Sequence, residues 1–115
     1  MYKQGCSIIF FTEDKDQVEF LFFLRDNKDE IPYPNTWDLL GGNLEENESP
    51  EDCITREMWE EIGIVLSEFK KFRAVEFLDR LEHTFYKRVQ KNFLGSYNEN
   101  NIILKRPNEG QLLKW

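Results

Sequence analysis

Apolar and polar positions divide the chain into short stretches bounded by turn residues. "CSIIFF" (residues 6–11) is β-branched and aromatic and predicts a strand. "TEDKDQ" (12–17) is a polar turn, and "VEFLFFLR" (18–25) predicts a second strand that pairs with the first as a hairpin. The near-continuous apolar character of both predicts burial on two faces. "DNKDEIPYPN" (26–35) reads as a loop punctuated by Pro32 and Pro34, and "WDLLGG" (37–42) as a short strand ending in two glycines. "FKKFRAVEFLD" (69–79) and "TFYKRVQKNFLG" (84–95) alternate roughly by two and read as paired strands. "NIILK" (101–105) fits a short strand or a helical turn, and "QLLKW" (111–115) a final strand.

Between these strands the period changes. Ser49 followed by Pro50 is an N-cap with proline at the first helical position, and Glu51 and Asp52 stand near the positive end of the helix dipole. The pattern predicts a helix over residues 50–62 that stops at Gly63. At ~100° per residue, Ile54, Met58 and Ile62 make one apolar arc facing a core.

At 115 residues the sequence predicts one domain, residues 1–115, with one modest core. A 40% apolar, 15% aromatic composition fits a folded globule rather than a disordered chain. The net charge of -7 argues against DNA, RNA or an anionic membrane as partners. It leaves room for a small phosphorylated ligand, because a bound cation inverts the local field. Cys6 and Cys53 belong to no Cys-x-x-Cys motif, which argues against a disulfide framework or a zinc site. With no signal peptide and no apolar run of ~18 residues, the expected location is cytoplasmic.

Glu57, Glu60 and Glu61 crowd an arc beside the apolar one, at i, i+3 and i+4. Like charges at these spacings cost a few tenths of a kcal/mol per pair, and more beside a core boundary. A solvated acidic face is the ordinary explanation of such a cluster. A hard divalent cation is the other relief, since Mg²⁺ is held by a few carboxylates plus substrate phosphates. A calcium-binding loop is disfavoured, because its Asp/Gly pattern is missing.

The stretch from Gly42 to Ile64 reads "GNLEENESPEDCITREMWEEIGI". Gly42, Glu48, Arg56, Glu57, an apolar Met58, Glu60, Glu61, Gly63 and an apolar Ile64 fall at the fixed positions of the signature of the Nudix hydrolases, which this chain resembles. Seven positions demand one residue type, so chance agreement is on the order of one in a billion. The resemblance implies an α/β fold, an α/β/α sandwich with a mixed sheet. Family domains normally continue into a second helix, and none follows Trp115 in this sequence, so a shortened chain or a partner in place of that helix is expected.

By the same resemblance, Glu57, Glu60 and Glu61 bind the catalytic Mg²⁺ (or Mn²⁺), joined by a backbone carbonyl at Gly41. Glu48 pairs with Arg56, and the two hold the carboxylates in place. Glycine at 41 and 42 suits such a site through unusual φ and close backbone approach. Leu40 stands where the family usually has proline. "NEGQLLKW" resembles a segment whose glutamate, here Glu109, is an extra metal ligand or the base. The base is Glu57 or Glu109, and the residues leave that choice open. Arg25 is a weaker candidate for a phosphate contact. His83 reads as an ordinary exposed or core histidine, and Trp59 as a surface or interface aromatic. The implied reaction is hydrolysis of a nucleoside diphosphate linked to another group, such as a nucleoside triphosphate. A nucleotide-sensing domain that does not cleave is the rival, although no carboxylate of the signature is lost. The oligomeric state is open, with a homodimer allowed.

Overall fold

A computed structural model of the protein describes residues 3–24, 30, 37–77, 79–94 and 113–115. Its elements are β1 (Lys3–Asp14), β2 (Gln17–Phe20), β3 (Phe22–Leu24), β4 (Trp37–Asp38), β5 (Leu40–Asn43), α1 (Pro50–Ile62), β6 (Lys70–Phe77), β7 (Arg80–Arg88) and β8 (Leu113–Lys114). The axis is β1, the longest strand. Cys6, Ile8 and Phe10 are buried on one of its faces. One edge of β1 pairs in parallel with β7, from Lys3↔Arg80 to Phe11↔Arg88. The other edge is shared: β5 pairs antiparallel with residues 5–8 and β2 with residues 11–14. β6 closes the sheet beyond β7, giving the order β2-β1-β7-β6 with β5 beside β1. A second, antiparallel sheet has the order β4-β3-β8. The architecture is mixed α/β, with one helix among the described residues.

The helix starts and stops where local chemistry dictates. Ser49 Oγ accepts the Asp52 N–H at 3.0 Å, a cap of about 1 kcal/mol. At the other end Gly63 is left-handed (φ 71°), and its N–H reaches the Trp59 carbonyl at 3.1 Å. Between them Cys53, Ile54, Met58 and Ile62 are buried with Cys6, Ile8, Phe10, Leu40 and Phe85 in one core. Each large side chain buried there contributes roughly 1.5–3 kcal/mol.

Several strand expectations change. The expected strand over residues 18–25 is two, because the chain leaves one sheet for the other at Leu21, whose side chain is buried and whose N–H donates to Phe10 O at 3.0 Å. Its first part, β2, is not buried on two faces: Val18 and Phe20 are exposed on a ribbon beyond the core. The expected turn over residues 12–17 tightens to Lys15 and Asp16, with Lys15 at φ 55°. Backbone pairing carries the polar residues on either side of it, and such pairing needs no apolar side chain. Residues 37–42 divide at Leu39 into β4 and β5, again one strand in each sheet. The β6/β7 pairing holds, but β7 begins at Arg80 and ends at Arg88, so residues 91–94 are turn. Of the final stretch, Leu113 and Lys114 are strand. The expectations for residues 101–105 and most of 26–35 lie outside the described residues.

Candidate active site

β5, the loop before α1 and the second half of α1 bring the candidate residues together. β5 holds Gly41 and Gly42 against β1 in the register Cys6↔Gly42 and Ser7↔Gly41. Both glycines are strand residues with ordinary φ, so the expectation of unusual φ is corrected. Close approach is the reason for glycine at each. A Cβ on Gly41 would collide with the Cys6 carbonyl oxygen, and one on Gly42 with the Glu57 carboxylate. Gly42 is thus the gap through which Glu57 meets the strand.

Arg56 organises the carboxylates. Its Nε donates to Glu48 Oε2 at 2.8 Å and Nη2 to Glu48 Oε1 at 3.0 Å, a bidentate pair. Nη1 donates to Glu57 Oε1 at 2.9 Å and to Glu60 Oε2 at 3.0 Å. Nη2 also reaches the Asn43 carbonyl at 3.0 Å, tying the helix to the end of β5. These five bonds use the full donor set of a guanidinium. Glu48 is fixed from the loop as well, accepting the Glu45 N–H at 3.0 Å while its own N–H donates to Glu45 O. Asn47 beside it takes φ 64°, a conformation asparagine tolerates.

The four glutamates differ in environment. Glu48 is held down to about 2, chiefly by its hydrogen bonds from Arg56. The same pairing raises Arg56 above its already high ordinary value. Burial pushes Glu57 up; hydrogen bonding with Glu61 and the charge of Arg56 oppose that rise. Glu61 is 3% exposed, beside the apolar arc, whereas Glu60 is exposed. Glu57, Glu60 and Glu48 therefore converge on one guanidinium, and Glu57 faces Glu61 on its other side. Arg25 and Glu109 lie outside the described residues.

From this junction a cleft of about 1070 Å³ runs across the sheet face opposite the helix. Gly41, Gly42, Arg56 and Glu57 line one end; Arg73, Val75, Phe77 and Arg80 line the other. Arg80 is held by Glu82 at 2.8 Å and by Asn43 Oδ1 at 3.3 Å. Sequence reasoning missed Arg73, Arg80 and Asn43, because sheet pairing alone brings residues from β5, β6 and β7 to one face. It missed also that Cys6 and Cys53 lie together beneath the site. They are free thiols, and the Cys6 thiol is pushed up by its hydrogen bond to Cys53 and by burial. His83 is a core residue: its Nε2 lies 2.9 Å from Gln4 Oε1, and burial lowers its pKa, helped by the charge of Lys71. Trp59 is half exposed, as expected of a surface aromatic.

The NUDIX domain model matches residues 1–115, the full length of the chain. The chain belongs to the Nudix family. It is 30% identical over 115 residues to the RNA pyrophosphohydrolase of Bartonella henselae, covering 99% of this chain and 58% of that one. It is 30% identical over 79 residues to the 8-oxo-dGTP diphosphatase of Buchnera aphidicola subsp. Schizaphis graminum, covering 69% of this chain and 54% of that one. The chain thus spans little more than half the length of these curated relatives. A solved MutT/nudix family protein from Enterococcus faecalis superposes with a TM-score of 0.76 at 21% identity, covering all of this chain and 43% of that one. That likeness concerns the fold.

Nudix hydrolases generally use divalent metal ions, and the donor chemistry here fits one. The donors are carboxylate oxygens, which suit a hard cation. Glu57 and Glu60 already converge on one positive group, the Arg56 Nη1, and Glu57 and Glu61 share a hydrogen bond. Among the described residues no three acidic, thiol or imidazole side chains are grouped as a metal site would hold them.

Proposed function

We propose that the chain is a single Nudix domain that hydrolyses a nucleoside diphosphate linked to another group, with Mg²⁺ or Mn²⁺ as cofactor. The observation that carries this reading is the meeting of Glu57 with the Gly42 backbone at the mouth of the cleft, with Glu61 at its side. Glu57, Glu60, Glu61 and the Gly41 carbonyl would hold the ion, with Glu109 as a further ligand. The bound ion supplies neutralisation of the diphosphate and a lowered pKa for the attacking water.

The chain's own residues do the rest. Arg56, locked by Glu48 and the Asn43 carbonyl, fixes the Glu57 carboxylate at the cleft mouth. A glutamate takes the proton of the attacking water, and Glu57 and Glu109 are the candidates. Burial raises Glu57 and so strengthens it as a base before the ion binds. The cleft accepts the nucleotide, and Arg25 is a weaker candidate for a phosphate contact. The relatives widen the substrate class: one is named for RNA, so the 5′ end of an RNA belongs beside nucleoside triphosphates, despite the chain's net charge of -7. The test is a panel of nucleoside triphosphates, dinucleoside polyphosphates, nucleotide sugars and a 5′-triphosphorylated oligonucleotide, with Mg²⁺, with Mn²⁺ and with chelator. Turnover of at least one member, abolished by chelator, is expected. Turnover that persists in chelator overturns the metal requirement, and binding without turnover on every member favours a sensing domain.

A further inference from the structure

β6 ends the larger sheet, and among the described residues its strand neighbour is β7. All eight of its residues are exposed, including Phe72, Val75 and Phe77. An edge of this length is a template for another strand, and proteins usually blunt such edges with lysines and bulges. β6 has both: Lys70 and Lys71 at one end, and a register shift between Lys71 and Arg73.

The bulge has a consequence for charge. Lys71 is paired with Phe85 and Glu76 with Leu81, and Phe85 and Leu81, four apart on β7, point to one face. Residues five apart in a regular strand would point to opposite faces, so the extra residue, Phe72, is what puts Lys71 and Glu76 on the same side. Ala74, opposite His83, shares that side, and Arg73, Val75 and Phe77 take the other. A two-fold axis perpendicular to the sheet at Ala74 therefore brings two copies of β6 together antiparallel with faces matched. Ala74 meets its own copy, Arg73 meets Val75, and Lys71 meets Glu76, the last two pairings occurring twice by symmetry.

We propose that β6 is a homodimer interface, a second copy of the chain adding its β6 antiparallel about Ala74 with Lys71 of each copy against Glu76 of the other. The lysines and the bulge discourage an arbitrary strand. A second copy brings a glutamate to the face and height of each lysine. Ala74 at the axis sets neither a charge nor a bulky side chain against its own copy. Arg73 and Val75 also line the far end of the cleft, whereas Lys71 and Glu76 lie on the opposite face of the strand, so the charge-reversal variants probe the dimer without replacing a residue of the cleft or of the carboxylate cluster.

The test is charge reversal read by sedimentation velocity over a concentration series, with circular dichroism to check that each variant keeps its fold. The wild type is expected to dimerise. Lys71→Glu and Glu76→Lys are each expected to weaken the dimer roughly tenfold or more, because each turns two opposite-charge pairs into like-charge ones. An equimolar mixture of the two variants is expected to dimerise again as a heterodimer, and the double variant as a homodimer. A wild type that stays monomeric at the highest concentration it reaches overturns the proposal. So does a dimer indifferent to Lys71→Glu, or single variants that fail to recover on mixing.

Discussion

Glu48 and Glu57 touch the same guanidinium, yet the protein treats them in opposite ways. Glu48 takes two of its N–H groups in the plane of the fork and has a backbone N–H besides, and is held down to about 2. Glu57 takes one, sits against the strand at Gly42, and is pushed up by burial. The difference lies in surroundings, since the residue type and the partner are shared. A carboxylate with its lone pairs satisfied is a structural tie. One that is desolvated by burial stores unfavourable energy that a cation or a proton relieves.

The comparison breaks most visibly in activity. Glu57→Gln is expected to lower turnover roughly a hundred- to ten-thousand-fold, the range for a positioned acid or base. Its melting temperature without metal is expected to stay equal or rise, because a penalised charge is removed. Glu60→Gln is expected to follow with a smaller loss. A Glu57→Gln protein with wild-type turnover, or one that unfolds, removes Glu57 from the chemistry.

Next in size is Arg56→Met. It leaves Glu48 and Glu57 without their shared cation, which is expected to cost about 2–3 kcal/mol in a denaturant titration, somewhat below the figure for a fully buried pair. Loss of stability below ~1 kcal/mol, as for a surface ion pair, would show that Arg56 is no organiser.

Added Mg²⁺ is expected to stabilise the wild type by about 1 kcal/mol at millimolar concentration, a shift of a few degrees, with less gain in Glu57→Gln. Monovalent salt at matched ionic strength is the control, because screening also relieves carboxylate repulsion. Equal stabilisation by that salt would leave Glu57, Glu60 and Glu61 a solvated acidic face.

The smallest effect separates the two glutamates by pH. Glu48 has a depressed folded value, so its contribution is present above its ordinary 4.5 and lost as pH falls through about 2. Glu57 has a raised folded value, so its favourable contribution is present below 4.5 and lost as pH rises through that value. Relative to wild type, Glu48→Gln is expected to flatten the melting curve's acid limb, and Glu57→Gln to gain stability towards neutral pH. Identical pH profiles for the two variants would erase the distinction.

The helix was legible to the residue because its signals are local: Ser49, Pro50 and Gly63 act on neighbouring backbone groups. The Glu48–Arg56 pair was legible from the family resemblance, and the structure closes it with two bonds. The sheet change at Leu21 was not legible, since one apolar run serves strands in two sheets and only long-range pairing decides which. Glu61 showed the limit of a helical wheel. It lies beside the apolar arc, and how deep it sits depends on the sheet packed against that arc. At Gly41 and Gly42 the sequence carried the need for small residues, while the reason, contact with Cys6 and Glu57, came from other elements.

Arg56 also bears on how the carboxylates change hands. Two of its bonds, both from Nη1, go to Glu57 and Glu60, and the other three anchor it to Glu48 and Asn43. A divalent ion arriving at those carboxylates competes with one nitrogen's two donors, and the rest of the fork can stay moored. At the proposed metal site, loading would be an ion exchange at a tethered resin: the Nη1 donors would yield two carboxylates to the ion, with the strand and helix left in place.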